Sequence, residues 1–208
     1  MSLDENAVSI VDYKAGNLTS VLLAVQKLGF GARLTASPEE VRSSSRVIFP
    51  GVGAAGAAMD VLTGSGLGEA LVEYAASGRP LVGICLGAQI IFERSAEGDT
   101  QCLGILPGTV EPLRVPPGFK VPHMGWNAVE FSRAHPVWSG LESGSQFYFV
   151  HSFAPAPASE HLVIGRTEYC GSFVSAVARE NVVAFQFHPE RSGRFGLKVL
   201  ENFLRWKP

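Results

Sequence analysis

The chain has 208 residues, 46% of them hydrophobic, and a formal net charge of -2. That length fits one α/β domain with a sizeable core, and the near-neutral balance leaves no electrostatic footprint for nucleic acid or an acidic membrane surface. Cys85, Cys102 and Cys170 are odd in number, widely spaced and form no C-x-x-C pair, so neither a disulfide framework nor a zinc site is expected.

Met1–Asn6 lacks the basic region and apolar run of a signal peptide. Apolar runs fall short of the roughly 20 residues that span a bilayer. The chain reads as soluble and cytoplasmic. Ala7–Tyr13 is strand-like, and Lys14–Asn17 forms a turn. From Leu18, the residues Val21, Leu22, Val25 and Leu28 fall at helical spacing, with Gly29 as the stop. Gly31–Thr35 reads as a strand. Ser37-Pro38-Glu39-Glu40 carries a capping serine, a proline at the first helical position and acids in the first turn. Arg46–Phe49 is a third strand, and Pro50–Gly56 is a glycine-rich loop entering a helix of small residues. A helix over Leu67–Ala76 leads to a buried strand at Pro80–Ile84, after which Ala88–Arg94 can continue as helix. Strands alternating with helices predict an open, mostly parallel sheet with helices on its faces.

Beyond Arg94 the composition shifts. Gly98–Phe131 is rich in glycine and proline, with β-like pieces at Gly108–Leu113 and Asn127–Phe131. Phe147–Phe153 is a bulky strand, and Leu162–Cys170, Phe173–Ala178 and Val182–Phe187 read as successive antiparallel strands. Phe195, Val199, Leu200, Phe203 and Leu204 form the apolar stripe of a final helix. With no repeat and no linker, residues 1–208 are read as one domain, a parallel core with an antiparallel β extension.

Chemistry concentrates at Gly83-Ile84-Cys85-Leu86-Gly87-Ala88-Gln89. A strand, a sharp turn and a helix with G-x-C-x-G at the turn is the pattern of a nucleophile elbow. A Cβ at either glycine would meet the crossing chain. The start of a helix also favours a thiolate. A buried structural cysteine beside packing glycines is the competing reading. Pro50-Gly51-Val52-Gly53, at the end of another strand, can turn backbone N–H groups toward an oxyanion. Its bland alternative is a tightly packed loop. Among five histidines, His188 ends an apolar strand and precedes Pro189-Glu190. In extended chain, residues i and i+2 share a side, which puts Glu190 against His188 as its orienting carboxylate. His135 and His161 read as surface residues, while His123 and His151 lie in apolar surroundings where hydrogen-bonded structural roles are the default.

With Cys85, His188 and Glu190 assembled, the chain resembles the class I (triad) glutamine amidotransferases, whose elbow is similar to G-x-C-x-G-x-Q and whose late motif is similar to H-P-E. The resemblance implies a flavodoxin-like α/β fold and hydrolysis of L-glutamine by the Cys85-His188-Glu190 triad. It implies an oxyanion hole at Gly51, Val52, Gly53 and Leu86, with substrate contacts from Gln89, Glu97, Ser152 and Phe153. No metal or organic cofactor is implied.

Val121-Pro122-His123-Met124-Gly125-Trp126-Asn127, Tyr148–Ser152 and Asp12-Tyr13…Gly16-Asn17 resemble a narrower group within that family. Those glutaminases pair, as heterodimers, with a (β/α)8-barrel cyclase subunit. By that resemblance Lys14, Asn17, His123, Met124, Trp126, Asn127 and Arg191 lie toward the partner. Lys14 replaces a usual glycine and Arg191 a usual lysine, and the latter exchange is not conservative. Glutaminases serving anthranilate, guanylate or pyridoxal phosphate synthesis are the alternative within the family. Outside it stand a cysteine peptidase or γ-glutamyl hydrolase on the same scaffold, and a binding module that keeps the fold alone.

Overall fold

A computed structural model describes residues 8–14 and 18–208. Met1–Asn6 and the expected turn residues Ala15, Gly16 and Asn17 lie outside the described residues. The first half alternates strand and helix, as β1 (Val8–Val11), α1 (Leu18–Lys27), β2 (Ala32–Thr35), α2 (Pro38–Ser43), β3 (Arg46–Gly51), α3 (Ala55–Ser65), α4 (Leu67–Ala76), β4 (Leu81–Cys85) and α5 (Leu86–Ile90). The second half is mostly β, with β5 (Arg94–Ser95), β6 (Thr100–Gln101), β7 (Gly108–Pro112), β8 (His123–Phe131) and β9 (Ser145–His151). It continues through β10 (Phe153–Pro157), β11 (Val163–Glu168), β12 (Ser172–Arg179) and β13 (Val182–Phe185) to α6 (Gly193–Arg205).

Among the described residues, nine strands form one sheet in the order β2-β1-β3-β4-β13-β12-β11-β8-β9. The run from β2 to β13 is parallel, and from β13 onward each pairing is antiparallel. The antiparallel extension therefore continues the parallel core, and β13 is the seam. A second sheet, β10-β7-β5-β6, lies beside it. Side-chain alternation builds a core on each face of the large sheet. Ile10, Val82 and Ile84 pack with Val25 of α1 and Phe203 of α6, while Val11 and Leu81 pack with Val41 of α2, Leu62 of α3 and Leu71 of α4.

Local signals behave as their chemistry dictates. The Glu40 N–H donates to Ser37 Oγ at 3.3 Å, capping α2, and Gly29 takes φ +83° just past α1. Three expected elements differ most. The helix expected to run to Arg94 ends at Ile90, because the carbonyls of Ile90, Ile91 and Phe92 accept instead from the N–H groups of Leu103, Leu106 and Gly104. Phe147–Phe153 is not one strand: it breaks at Ser152, and Phe153 starts β10 in the second sheet. Finally, β8 begins at His123, pulled into the ladder by its pairing with β9.

Candidate active site

Cys85 is the last residue of β4 and precedes the first turn of α5, with φ 54° and ψ -108°. An L-residue occupies that region only when its surroundings enforce it. Here they do. A Cβ on Gly87 would lie 2.0 Å from the Phe49 carbonyl oxygen, and one on Gly83 would lie 2.8 Å from the Gly87 carbonyl oxygen. The five-residue α5 is too short for the dipole of a long helix, so the favourable field at sulfur reduces to local N–H groups. Gln186 Nε2 supplies another donor, 3.9 Å from Cys85 Sγ, and the thiol points to the Val150 carbonyl at 3.8 Å.

His188 follows β13 and places Nδ1 2.8 Å from Glu190 Oε1, with both side chains almost wholly buried. The extended segment expected to bring them together is absent. Pro189–Arg191 is a 3-10 turn, and the pair closes across it. The Ser192 hydroxyl donates to the His188 carbonyl at 2.6 Å, and the His188 N–H donates to the Tyr148 carbonyl at 2.9 Å. These bonds fix the backbone that carries the imidazole. Among the described residues its Nε2 is buried without a hydrogen-bond partner, as is Glu190 Oε2. Burial opposes a charge on His188, but Cys85 and Glu190 outweigh it and raise the imidazole pKa.

A cavity of about 240 Å³ opens beside the sulfur. Its walls include Val52, Gly53, Leu86, Gln89, Glu97, Ser152 and Phe153, so these expected substrate-site residues surround one space with Cys85 and His188. Gly51 stands just outside it, paired in register with Cys85. Both amide hydrogens of Gln89 are committed, one to the Phe153 carbonyl and one to Gln186 Oε1, each at 2.9 Å. Gln89 therefore offers a substrate its acceptor Oε1. Glu97 Oε2 accepts from the Ala55 N–H at 2.7 Å, tying its loop to the start of α3. A larger depression near Arg179 and Asn181 holds no cysteine or histidine. Among the described residues, no cluster of His, Cys, Asp and Glu is arranged to hold a metal ion.

The expected partner-facing residues divide. Met124 and Trp126 are 63% and 56% exposed, and the Arg191 guanidinium lies 4.3 Å over the Tyr148 ring. Lys14 is exposed. His123 is only 3% exposed, so its side chain forms no part of that face; alternation along β8 turns it inward and engages the Asn127 amide beside it. Asn17 is outside the described residues. Sequence reasoning passed over Gln186 and Tyr13. A glutamine ending an otherwise apolar strand was the available signal for the first. Tyr13 had none, since what marks it is a buried hydroxyl, without a partner among the described residues, 2.1 Å from where a Gly51 Cβ would be.

A sequence profile described as glutamine amidotransferase class-I matches residues 9–206. The chain is 45% identical to the imidazole glycerol phosphate synthase subunit HisH of Nitrosomonas europaea, across 98% of this chain and 100% of that one. Identity to the HisH subunit of Thiobacillus denitrificans is 46%, across 100% of this chain and 93% of that protein. Among solved structures, PurLQS from Thermotoga maritima superposes with a TM-score of 0.76 at 20% identity, covering 95% of this chain and 97% of that one, a likeness of fold.

Proposed function

The chain belongs to the class-I glutamine amidotransferases, and we propose that it is the glutaminase subunit of an imidazole glycerol phosphate synthase. In that reading one amidotransferase domain hydrolyses L-glutamine to glutamate and ammonia, and a (β/α)8-barrel cyclase subunit consumes the ammonia within a heterodimer. The product pair is imidazole glycerol phosphate and an aminoimidazole carboxamide ribotide. The observation that carries the chemistry is the convergence of Cys85, His188 and the Gln89 amide on one small cavity.

The Cys85 thiolate attacks the side-chain amide carbon of glutamine. Backbone N–H groups near Val52 and Leu86 receive the oxyanion, each donor worth about 2.7–4 kcal/mol in a well-studied protease. His188 gives its proton to the departing ammonia, leaving a glutamyl thioester. It then takes a proton from water, which adds to the thioester and releases glutamate and the thiolate. Glu190 holds Nδ1–H, and so the tautomer that leaves Nε2 free to work. Gln89 Oε1 and the free oxygen capacity of Glu97 suit the ammonium end of a free amino acid.

Partner docking is supported by the two exposed apolar side chains on one side of β8, Met124 and Trp126, beside the Arg191–Tyr148 stack. Trp126 and Tyr148 are themselves in edge contact at 6.1 Å. Among the described residues no helix is long and apolar enough to cross a membrane. With all three cysteines free, the cytoplasm is the compartment we propose. Ammonia release from glutamine, with and without the purified barrel subunit, tests the reading. Turnover should rise on docking; equal turnover with and without the barrel contradicts the subunit reading.

A further inference from the structure

One hydrogen-bond chain, buried at its His123–His151 link, leads from the proposed docking strand to the wall of the glutamine cavity, and each of its bonds has a fixed direction. His151 Nδ1 lies 2.8 Å from the Phe153 carbonyl. A carbonyl only accepts, so this nitrogen carries the hydrogen. Burial, together with the neighbouring His123 and His188, pushes the His151 pKa down to about 3 against the backbone bond to Phe153, and the ring is neutral. Its Nε2 is therefore an acceptor. His123 Nδ1, 3.0 Å away, must donate to it.

The other end is fixed independently. The Ala128 N–H donates to Asn127 Oδ1 at 2.8 Å, which orients the amide, and Asn127 Nδ2 donates to the Glu168 carbonyl at 2.9 Å. The same Nδ2 lies 3.3 Å from His123 Nε2, the acceptor atom of that ring. His123 is also held in place by stacking, with ring centroids 4.1 Å from Tyr169 and 5.0 Å from Phe149. Every donor thus points the same way, from Asn127 through His123 and His151 to the Phe153 carbonyl. That carbonyl also accepts from Gln89, whose second hydrogen goes to Gln186, the donor facing Cys85.

On the opposite side of the same strand stand Met124 and Trp126. The backbone that carries these two also carries His123 and Asn127, so a shift of β8 on docking moves both faces together. We propose that the His123–His151 pair is a positioning element through which docking on β8 sets the Phe153 carbonyl and Gln89 for glutamine. The proposal rests on the glutaminase-subunit reading above. The decisive readout is the coupling between docking and glutamine turnover.

The experiment compares wild type, His123→Phe and Asn127→Ala as full chains, with L-glutamine, alone and with saturating barrel subunit plus imidazole glycerol phosphate. Phenylalanine keeps the ring stack and removes both hydrogen bonds. Saturation removes partner affinity from the comparison. Wild type must be stimulated; if it is not, the subunit reading fails and the coupling question does not arise. Given wild-type stimulation, His123→Phe should lose about tenfold of the gain in kcat/KM, chiefly through a higher KM for glutamine in the complex, with the rate of the isolated chain little changed. Stimulation within about twofold of wild type in folded His123→Phe overturns the proposal. Should His123→Phe not fold, the half-buried Asn127→Ala decides: about threefold lost stimulation supports the chain, and full stimulation overturns it.

Discussion

His188 Nδ1 and Glu190 Oε1 meet at 2.8 Å, in a pocket that leaves the two side chains 6% and 3% exposed. An amide in place of the carboxylate keeps the shape but removes the charge that holds the imidazolium, and it can present the wrong partner to Nδ1. Glu190→Gln should therefore lower kcat on the order of 10³–10⁴-fold while KM for glutamine moves little. Steady-state ammonia release measures both.

The same pair predicts a pH dependence of stability. His188 is raised to about 10, burial opposing and Cys85 with Glu190 outweighing it. A histidine raised on folding contributes fully below its unfolded value of about 6.5, and the contribution is lost as pH rises through the folded value. The stability difference between wild type and His188→Asn should be larger near pH 6 than near pH 10. Urea melts at the two pH values test it, and an unchanged difference would mean the imidazolium does not stabilise the fold.

His135 runs the other way. Burial, then Arg133, lowers its pKa to about 4, and its Nδ1 accepts from the Val137 N–H at 3.3 Å. A histidine lowered on folding costs stability as pH falls from about 6.5 toward the folded value, where the unfolded chain binds the extra proton. His135→Asn keeps a capping acceptor and removes that proton. The acid limb of the stability curve should flatten by about one proton between roughly pH 6.5 and pH 4, as read from denaturant melts across that range.

Lys14 has φ 66° and holds its N–H on Asp12 Oδ1 at 2.9 Å. The glycine usual at this position in the resembled family would relieve the left-handed strain. Lys14→Gly should stabilise the chain by about 0.5–1 kcal/mol in chemical denaturation, strain relief exceeding the entropy that glycine adds to the unfolded state.

Two buried groups near the sulfur give opposite outcomes. Among the described residues the Tyr13 hydroxyl has no partner, so Tyr13→Phe should cost nothing or gain up to about 1–2 kcal/mol. Gly87→Ala drives a Cβ into the Phe49 carbonyl and should cost about 3 kcal/mol or more, with loss of activity. Thermal melts and ammonia release separate the two.

The elbow was legible because its glycines are dictated by contacts at very short range along the chain: Gly83 and Gly87 sit either side of the sulfur and shape one turn. The pairing of His188 with Glu190 was legible for the same reason, although a 3-10 turn and not an extended strand brings them together. The rest depended on long-range partners. Helix α5 stops at Ile90 because a segment more than ten residues on takes its carbonyls, and β8 starts at His123 because His151 lies opposite in the ladder. Nothing near His123 in sequence announces that cross-strand neighbour. Alternation along β8 would have turned its side chain inward, but only once the strand was known to begin there.

The proposed role of Cys85 is that of a glutaminase's nucleophile. Its most direct test is ammonia release from L-glutamine by the complex with the barrel subunit, comparing wild type with Cys85→Ala. The rate should be lower by at least about 10³-fold in a variant that still folds and binds the barrel. Equal rates in the two proteins would contradict it.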